Sequence, residues 1–381
     1  MNFIYLFMKI APKQNKITFI SRQMDTIPYD FMRIGNRLET TNKDIKTIYL
    51  CKKLNSGLFE YIKYFVHMFR QMYHIATSKV VVIDSYCILV SILKHKKSLK
   101  IIQIWHAIGL LKKFGYATID TDEGSKEETA KLMNMHKNYS AVISSSPHIS
   151  KEISCAYNIS EDKVIALGLP RIDFLTSEQG MTSKRKEILE LYQSIDNKKL
   201  NILYVPTFRA NSDVAYKDIS EKIDYSKYNL IIKLHNGDEC FISSDNKITT
   251  HSGLTGFEFL SIADIVISDY SAIIFEALVA KKPVYLYCYD INSYIDKRGL
   301  FIDYYSIPAI ISTSSEIIIN SIENKKADMI DTTDFLDKFV AHRDMNITNA
   351  ICATLCEIVK NQDADINKIV DNIINNERYT C

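Results

Sequence analysis

The stretch from Ala263 to Tyr287, ADIVISDYSAIIFEALVAKKPVYLY, decides the fold class. Ile265, Val266 and Ile267 form a short β-branched run, which suits a strand buried on both faces of a parallel sheet. Ser268, Asp269, Tyr270 and Ser271 interrupt it with side chains that favour turns and helix caps. Ile273 to Ala280 is then apolar and unbroken for about two helical turns. Lys281, Lys282 and Pro283 stop that helix, and Val284 to Tyr287 opens a new strand. The product is a βαβ unit. Its helix would aim free N–H groups into a crevice at the carboxyl end of the sheet, an anion site that suits a diphosphate. An ordinary βαβ unit whose Ser and Asp only cap the helix has the same pattern, and this segment alone does not separate the two.

The rest of the chain repeats the alternation. Strands are expected at Lys16–Ser21, Lys46–Leu50, Val80–Asp84, Ile101–Ile104, Ala141–Ser145 and Val164–Leu167, then at Leu200–Val205 and Tyr228–Leu234. Helical segments between them, such as Tyr29–Leu38 and Leu58–Ala76, imply parallel, doubly wound sheets. His67 and His74 fall seven apart on one face of Leu58–Ala76 and read as packed rather than ligating. Thr176 to Lys199 is polar and reads as a domain connection; the last helices are expected at about Asp334 to Val359. The division that follows has an apolar N-terminal segment (1–14), a first Rossmann-like domain (15–178), a second (198–360) and a C-terminal tail (361–381).

Totals narrow the classes. A chain of 381 residues, 47% hydrophobic and 24% charged, suits two globular domains. A net charge of +2 gives no signal for nucleic acid. Eight cysteines without a C-x-x-C pair read as buried, reduced thiols; Cys352 and Cys356 lack the partners of a zinc site. Met1 to Ala11 is apolar and aromatic, too short to span a bilayer and without the basic start or cleavage site of a signal peptide. It suits either an interfacial anchor or a helix packed on the first domain. Lys94, Lys96, Lys97, Lys100, Lys112 and Lys113 form a basic cluster that the near-neutral total hides, either a solvated face or a contact for an acidic substrate or anionic lipid.

Four strand ends carry polar groups: His106 in the first half, and Arg209, His235 and the Asp269–Ser271 set in the second. Two doubly wound domains facing each other across a cleft would bring these ends together. Arg171, in the turn Gly168-Leu169-Pro170-Arg171-Ile172-Asp173, is a further candidate for the crevice.

Seven stretches now carry a resemblance: Lys16–Ser21, Gln103–His106, Gly168–Asp173, Ile202–Arg209, Lys233–His235, Ser268–Leu278, and Tyr289-Asp290 through Arg298-Gly299 to Asp303-Tyr304. In this order they resemble the CDP-glycerol glycerophosphotransferases and related polyol-phosphate transferases of teichoic acid and capsule synthesis, over about residues 12 to 357. The combination of W-H, G-x-P-R-x-D, P-T-x-R, K-L-H and D-Y-S is specific, whereas no single one of them is. The resemblance implies a two-domain glycosyltransferase-B type α/β fold and transfer of a polyol phosphate from CDP-glycerol or CDP-ribitol, with release of CMP. The acceptor would be a hydroxyl on a lipid-linked saccharide or a growing polymer.

Carried over by position, His106 corresponds to the general base and His235 to the group that stabilises charge on the donor diphosphate. Ala107, Ile108, Gly109, Leu110, Arg171, Pro206, Thr207, Lys233, Ser271, Ala272 and Glu276 match positions lining the CDP-polyol site, and Arg209 and Asp269 sit in the same motifs. Phosphoryl transfer is mostly positioning and charge stabilisation, so a base near neutral pKa with cationic and N–H donors suffices. Glu276 would accept a ribose hydroxyl; the competing reading is a carboxylate on the helix surface. No D-x-D motif precedes the donor site, so neither a metal nor a cofactor is expected.

This chain departs from the family at three places. His106-Ala107-Ile108-Gly109-Leu110-Leu111-Lys112 replaces H-G-T-P-L-K, Ala272 replaces the second serine of D-Y-S-S, and Glu276 stands where aspartate is common. Two readings compete: a nucleotide-sugar glycosyltransferase of the same fold, and a non-catalytic member of a wall-polymer complex. Peripheral attachment to an anionic membrane surface at the cytoplasmic face is expected, through Met1–Met8 and the Lys94–Lys113 cluster. Self-association into a homo-oligomer is left open.

Overall fold

The computed structural model describes residues 1–207, 213–234, 240–244, 247–251 and 254–375. They form two compact units. The first comprises Met1–His106, Phe114–Asp173 and Val340–Cys381; the second comprises Ala107–Lys113 and Phe174–Phe339.

The first unit is built on six strands: β1 (Gln14–Ser21), β2 (Lys46–Cys51), β3 (Ser78–Ile83), β4 (Lys100–Gln103), β5 (Ala141–Ser144) and β6 (Val164–Ala166). All neighbours are parallel, in the order β2-β1-β3-β4-β5-β6. The chain turns to one side after β1 and to the other from β3, so the topological switch point lies between these two strands. Every side chain of β3 from Val80 to Ile83 is fully buried, which explains its unbroken β-branched sequence.

The helix Ile347–Lys360 packs on the helix Tyr29–Thr41 and on β3 of this unit. Asp173 fixes its start by accepting hydrogen bonds from the backbone N–H groups of Ile347 and Thr348, both at 2.8 Å. The chain from 340 onward thus belongs with the first sheet, whereas the sequence reading ran the second domain to 360. The stretch expected as a tail from 361 carries one more helix, Ile366–Ile374.

The second unit holds β7 (Leu200–Val205), β8 (Tyr228–Lys233), β9 (Cys240–Ser244), β10 (Lys247–His251), β11 (Ile265–Ser268), β12 (Val284–Tyr287) and β13 (Ile310–Ser312). Their order is β10-β9-β8-β7-β11-β12-β13. The five strands from β8 to β13 are parallel, with a switch point between β7 and β11. β9 and β10 extend the edge as an antiparallel pair. Only two residues join them, and so short a link connects antiparallel neighbours only. The sequence reading contained neither this pair nor β13. The remainder of the expected fold class, two Rossmann-like parallel-sheet α/β bodies, is what the chain forms.

Candidate active site

In the first unit the strand ends converge on His106. β4 stops at Gln103, and Trp105 then takes a left-handed backbone conformation (φ 51°) that turns the chain. Trp105 stacks on Phe114 at 4.4 Å between ring centroids and lies 4.1 Å from the His106 ring, so the turn is held by aromatic packing. His106 Nδ1 lies 3.0 Å from the backbone carbonyl oxygen of Asp84, just beyond β3. A carbonyl only accepts, so Nδ1 carries a proton and donates it, and in the neutral ring the lone pair is then on Nε2.

Asp84 is itself buried, and Ser85 Oγ donates to its Oδ1 at 2.9 Å. Burial pushes its carboxyl up to about 6, helped by the neighbouring Asp30 and opposed by hydrogen bonds from Ser21 and Ser85. The sequence reading ended a strand at Asp84 without marking it. A carboxylate at the end of an apolar strand was the available signal.

Arg171 lies in the same unit. Its Nε donates to Asp30 Oδ2 at 2.9 Å, its Nη2 to the same oxygen at 2.5 Å, and its backbone N–H to Asp30 Oδ1 at 2.9 Å. Both side chains are largely buried. The guanidinium thus clamps the helix Tyr29–Thr41 onto the motif that also carries Asp173. A partner 141 positions away gives no sequence signal.

The second unit gathers the residues assigned to the donor. Asp269, after β11, accepts at one oxygen from the backbone N–H of Thr207 (2.8 Å), after β7, and of Tyr270 (2.6 Å). Its carboxylate therefore bridges the switch point of this sheet. Ser268 Oγ donates to the Val205 carbonyl at 2.8 Å and ties the same two strand ends. Tyr304 donates its hydroxyl to the Asp269 carbonyl, Tyr270 donates to Asp290 at 3.1 Å, and Tyr270 stacks on Tyr294 at 3.8 Å. These tyrosines buttress the turn from behind, and the sequence reading had marked none of the last three contacts. The helix after the turn is Ile273–Val279; Ser271 Oγ accepts weakly from the Ile273 N–H at 3.4 Å, and Ala272 is half-buried. Glu276 is 5% exposed, so it is no surface carboxylate. Pro206, Thr207 and Lys233 are buried at the ends of β7 and β8.

The segment Ala107–Lys113 belongs to this unit. Lys112 pairs with Leu300 as an isolated bridge, and the Phe301 N–H donates to the Leu111 carbonyl at 2.9 Å. Gly109 (φ 67°) sits so close to the Phe275 ring that a Cβ would fall 2.5 Å from it. Ile108 and Leu110 are buried, so of these expected lining residues the backbone, rather than the side chain, is what a ligand can meet. Lys112 Nζ lies 3.4 Å from Thr207 Oγ1 and 5.7 Å from the centre of the Tyr294 ring. Lys112 and Lys113 are thus in the second unit while Lys94–Lys100 are in the first, so the six lysines are not one local cluster of a single body.

Arg209 and His235 lie outside the described residues. Among the described residues no three or more His, Cys, Asp or Glu side chains come together as metal ligands.

A family model described as CDP-glycerol:poly(glycerophosphate) glycerophosphotransferase matches residues 2–357. A teichoic acid ribitol-phosphate primase of Bacillus spizizenii is 26% identical over 353 residues, covering 89% of this chain and 90% of that protein. A teichoic acid glycerol-phosphate primase of Bacillus subtilis is 32% identical, covering 68% of each. The chain spans only 56% of a poly(ribitol-phosphate) polymerase of Bacillus spizizenii, at 28% identity. The structure of the wall teichoic acid polymerase TagF is similar in fold, with a TM-score of 0.73 at 18% identity, covering 93% of this chain and 91% of that one.

Proposed function

We propose that this chain, which belongs to the CDP-glycerol:poly(glycerophosphate) glycerophosphotransferase family, uses His106 as the base when it transfers a polyol phosphate from a CDP-linked donor. The observation that carries the assignment is the Nδ1–H bond to the Asp84 carbonyl, which leaves the basic nitrogen at Nε2. Nε2 takes the proton of an acceptor hydroxyl. The acceptor oxygen attacks the phosphorus that bears the polyol, the bond from that phosphorus to the bridging diphosphate oxygen breaks, and CMP leaves with the electron pair. The acceptor is a hydroxyl of a lipid-linked saccharide or of a growing wall polymer.

The second unit supplies the donor site in this reading. The turn pinned by Asp269 presents Thr207 and the Ser271–Ala272 start of the helix, with Lys233 and Lys112 as cations and Glu276 for a ribose hydroxyl. His235 and Arg209, from their family positions, stabilise charge on the diphosphate. Membrane attachment is supported by exposed apolar side chains: Phe3, Leu6, Phe7 and Ile10 at the N-terminus, and Leu58, Phe59, Ile62 and Val66 on the helix Leu58–Thr77, which packs beside the helix Asn2–Met8. No described helix is long and apolar enough to cross a membrane.

The test is nucleotide release by purified protein with a membrane-fraction acceptor and CDP-glycerol, CDP-ribitol or a UDP-sugar. CMP release from one or both CDP-polyols, without UDP release, is expected. UDP release with no CMP release would assign the protein to glycosyl transfer instead.

A further inference from the structure

The first unit has a concave feature at its own switch point, where doubly wound sheets hold ligands. It is a groove of about 440 Å³. Arg22, the residue after β1, and Tyr86, three residues after β3, form its inner end. Tyr61, Tyr64, Phe65 and Met68 of the helix Leu58–Thr77 form its apolar wall. That wall is continuous with the exposed apolar face of the same helix, at Leu58, Phe59, Ile62 and Val66.

Arg22 gives the groove its charge. Nη1 donates to the Tyr86 carbonyl at 3.0 Å, and the guanidinium carbon lies 5.9 Å from the centre of the Tyr64 ring. Nε is shielded from solvent and has no hydrogen-bond partner. Among the described ion pairs, none involves Arg22. A guanidinium held against aromatic walls, with a buried donor unsatisfied, is complementary to an anion, and its fork matches phosphate.

We propose that this groove binds a phosphorylated single-chain amphiphile, with the hydrocarbon chain along Tyr61, Phe65 and Met68 and the phosphate on Arg22. The inference rests on the transferase reading above and assigns to this groove the lipid end of the acceptor. Its place supports that role. The Arg22 backbone N–H donates to Ser85 Oγ at 3.3 Å, Ser85 donates to the Asp84 carboxylate at 2.9 Å, and the Asp84 carbonyl accepts from His106 at 3.0 Å. A phosphate on Arg22 therefore sits beside the loop that sets the base.

Calorimetric titration with farnesyl phosphate, farnesol and inorganic phosphate tests this, on wild type and on the Arg22→Gln and Phe65→Ser variants. CDP-glycerol binding is measured on the same preparations as a control for the second unit. Phe65 is 54% exposed, so its replacement leaves the fold intact. Farnesyl phosphate is expected to bind at least about tenfold tighter than farnesol or phosphate, and each variant to weaken it by about tenfold or more with CDP-glycerol binding unchanged. Wild-type affinity for farnesyl phosphate in both variants would overturn the proposal, as would farnesol binding equal to farnesyl phosphate. If CDP-glycerol binds no variant and no wild type while farnesyl phosphate behaves as stated, the donor reading falls and the groove stands.

Discussion

Asp84 does two different jobs with two different atoms. Its carbonyl sets the tautomer of His106, while its buried carboxyl, raised to about 6, is held by Ser85 and faces Asp30. A folded-state pKa above the ordinary 3.8 means the folded protein binds the proton more tightly. The stabilising contribution is therefore fully present below about pH 3.8 and is lost as pH rises through about 6. Asp84→Asn removes this dependence. The stability of wild type relative to Asp84→Asn is expected to fall by up to about 3 kcal/mol between pH 4 and pH 7, measured by denaturant unfolding. A pH-independent difference would show that the carboxyl is not perturbed by burial. The motif around Arg171 is readable in the sequence, but its engagement with Asp30 is not, because a buried ion pair is written in tertiary structure.

The helices Asn2–Met8 and Leu58–Thr77 show how one element serves both packing and surface. Tyr5 is buried and its hydroxyl meets His95 Nδ1 at 2.8 Å, so the first helix is docked. Phe3 at 72% and Phe7 at 57% exposure remain outside. Lys9 Nζ donates to the Lys94 carbonyl at 2.7 Å, which places positive charge along the edge of this apolar surface. Of the two readings for the N-terminus, the helix packed on the first unit is what the structure shows, and its outer face is the one proposed above for the membrane. The second helix is apolar and aromatic along its length, and apolar spacing alone does not separate its packed face from its exposed one. Its histidines do pack: burial and the neighbouring Lys16 hold His74 down at about 4. Flotation with phosphatidylglycerol-rich liposomes at low salt is expected to capture the protein. Phe3→Ser/Phe7→Ser should weaken binding by on the order of 100-fold. Unchanged flotation by the double variant would rule out this face as the contact.

For the molecule as a whole, the strands were legible wherever both faces of a sheet are covered, because such strands must be continuously apolar, as in Val80–Ile83 and Ile265–Ile267. The edge pair β9–β10 was not legible, since Lys247, Thr249 and Thr250 make it polar and an edge strand needs no apolar run. The interleaving of the units was equally hidden. Whether Ala107–Lys113 joins the second unit depends on Gly109 meeting Phe275 and on Lys112 pairing with Leu300, neither of which leaves a local pattern. Strand ends at a switch point are marked by polar residues after apolar runs, so His106 and Asp269 stand out in the sequence, whereas the packing around them does not.

CMP release by His106→Ala measures whether His106 removes the acceptor proton. With a CDP-polyol and a membrane-fraction acceptor, the rate is expected to fall roughly 10²–10⁴-fold while donor affinity stays within about threefold. A variant that transfers at the wild-type rate would contradict the account.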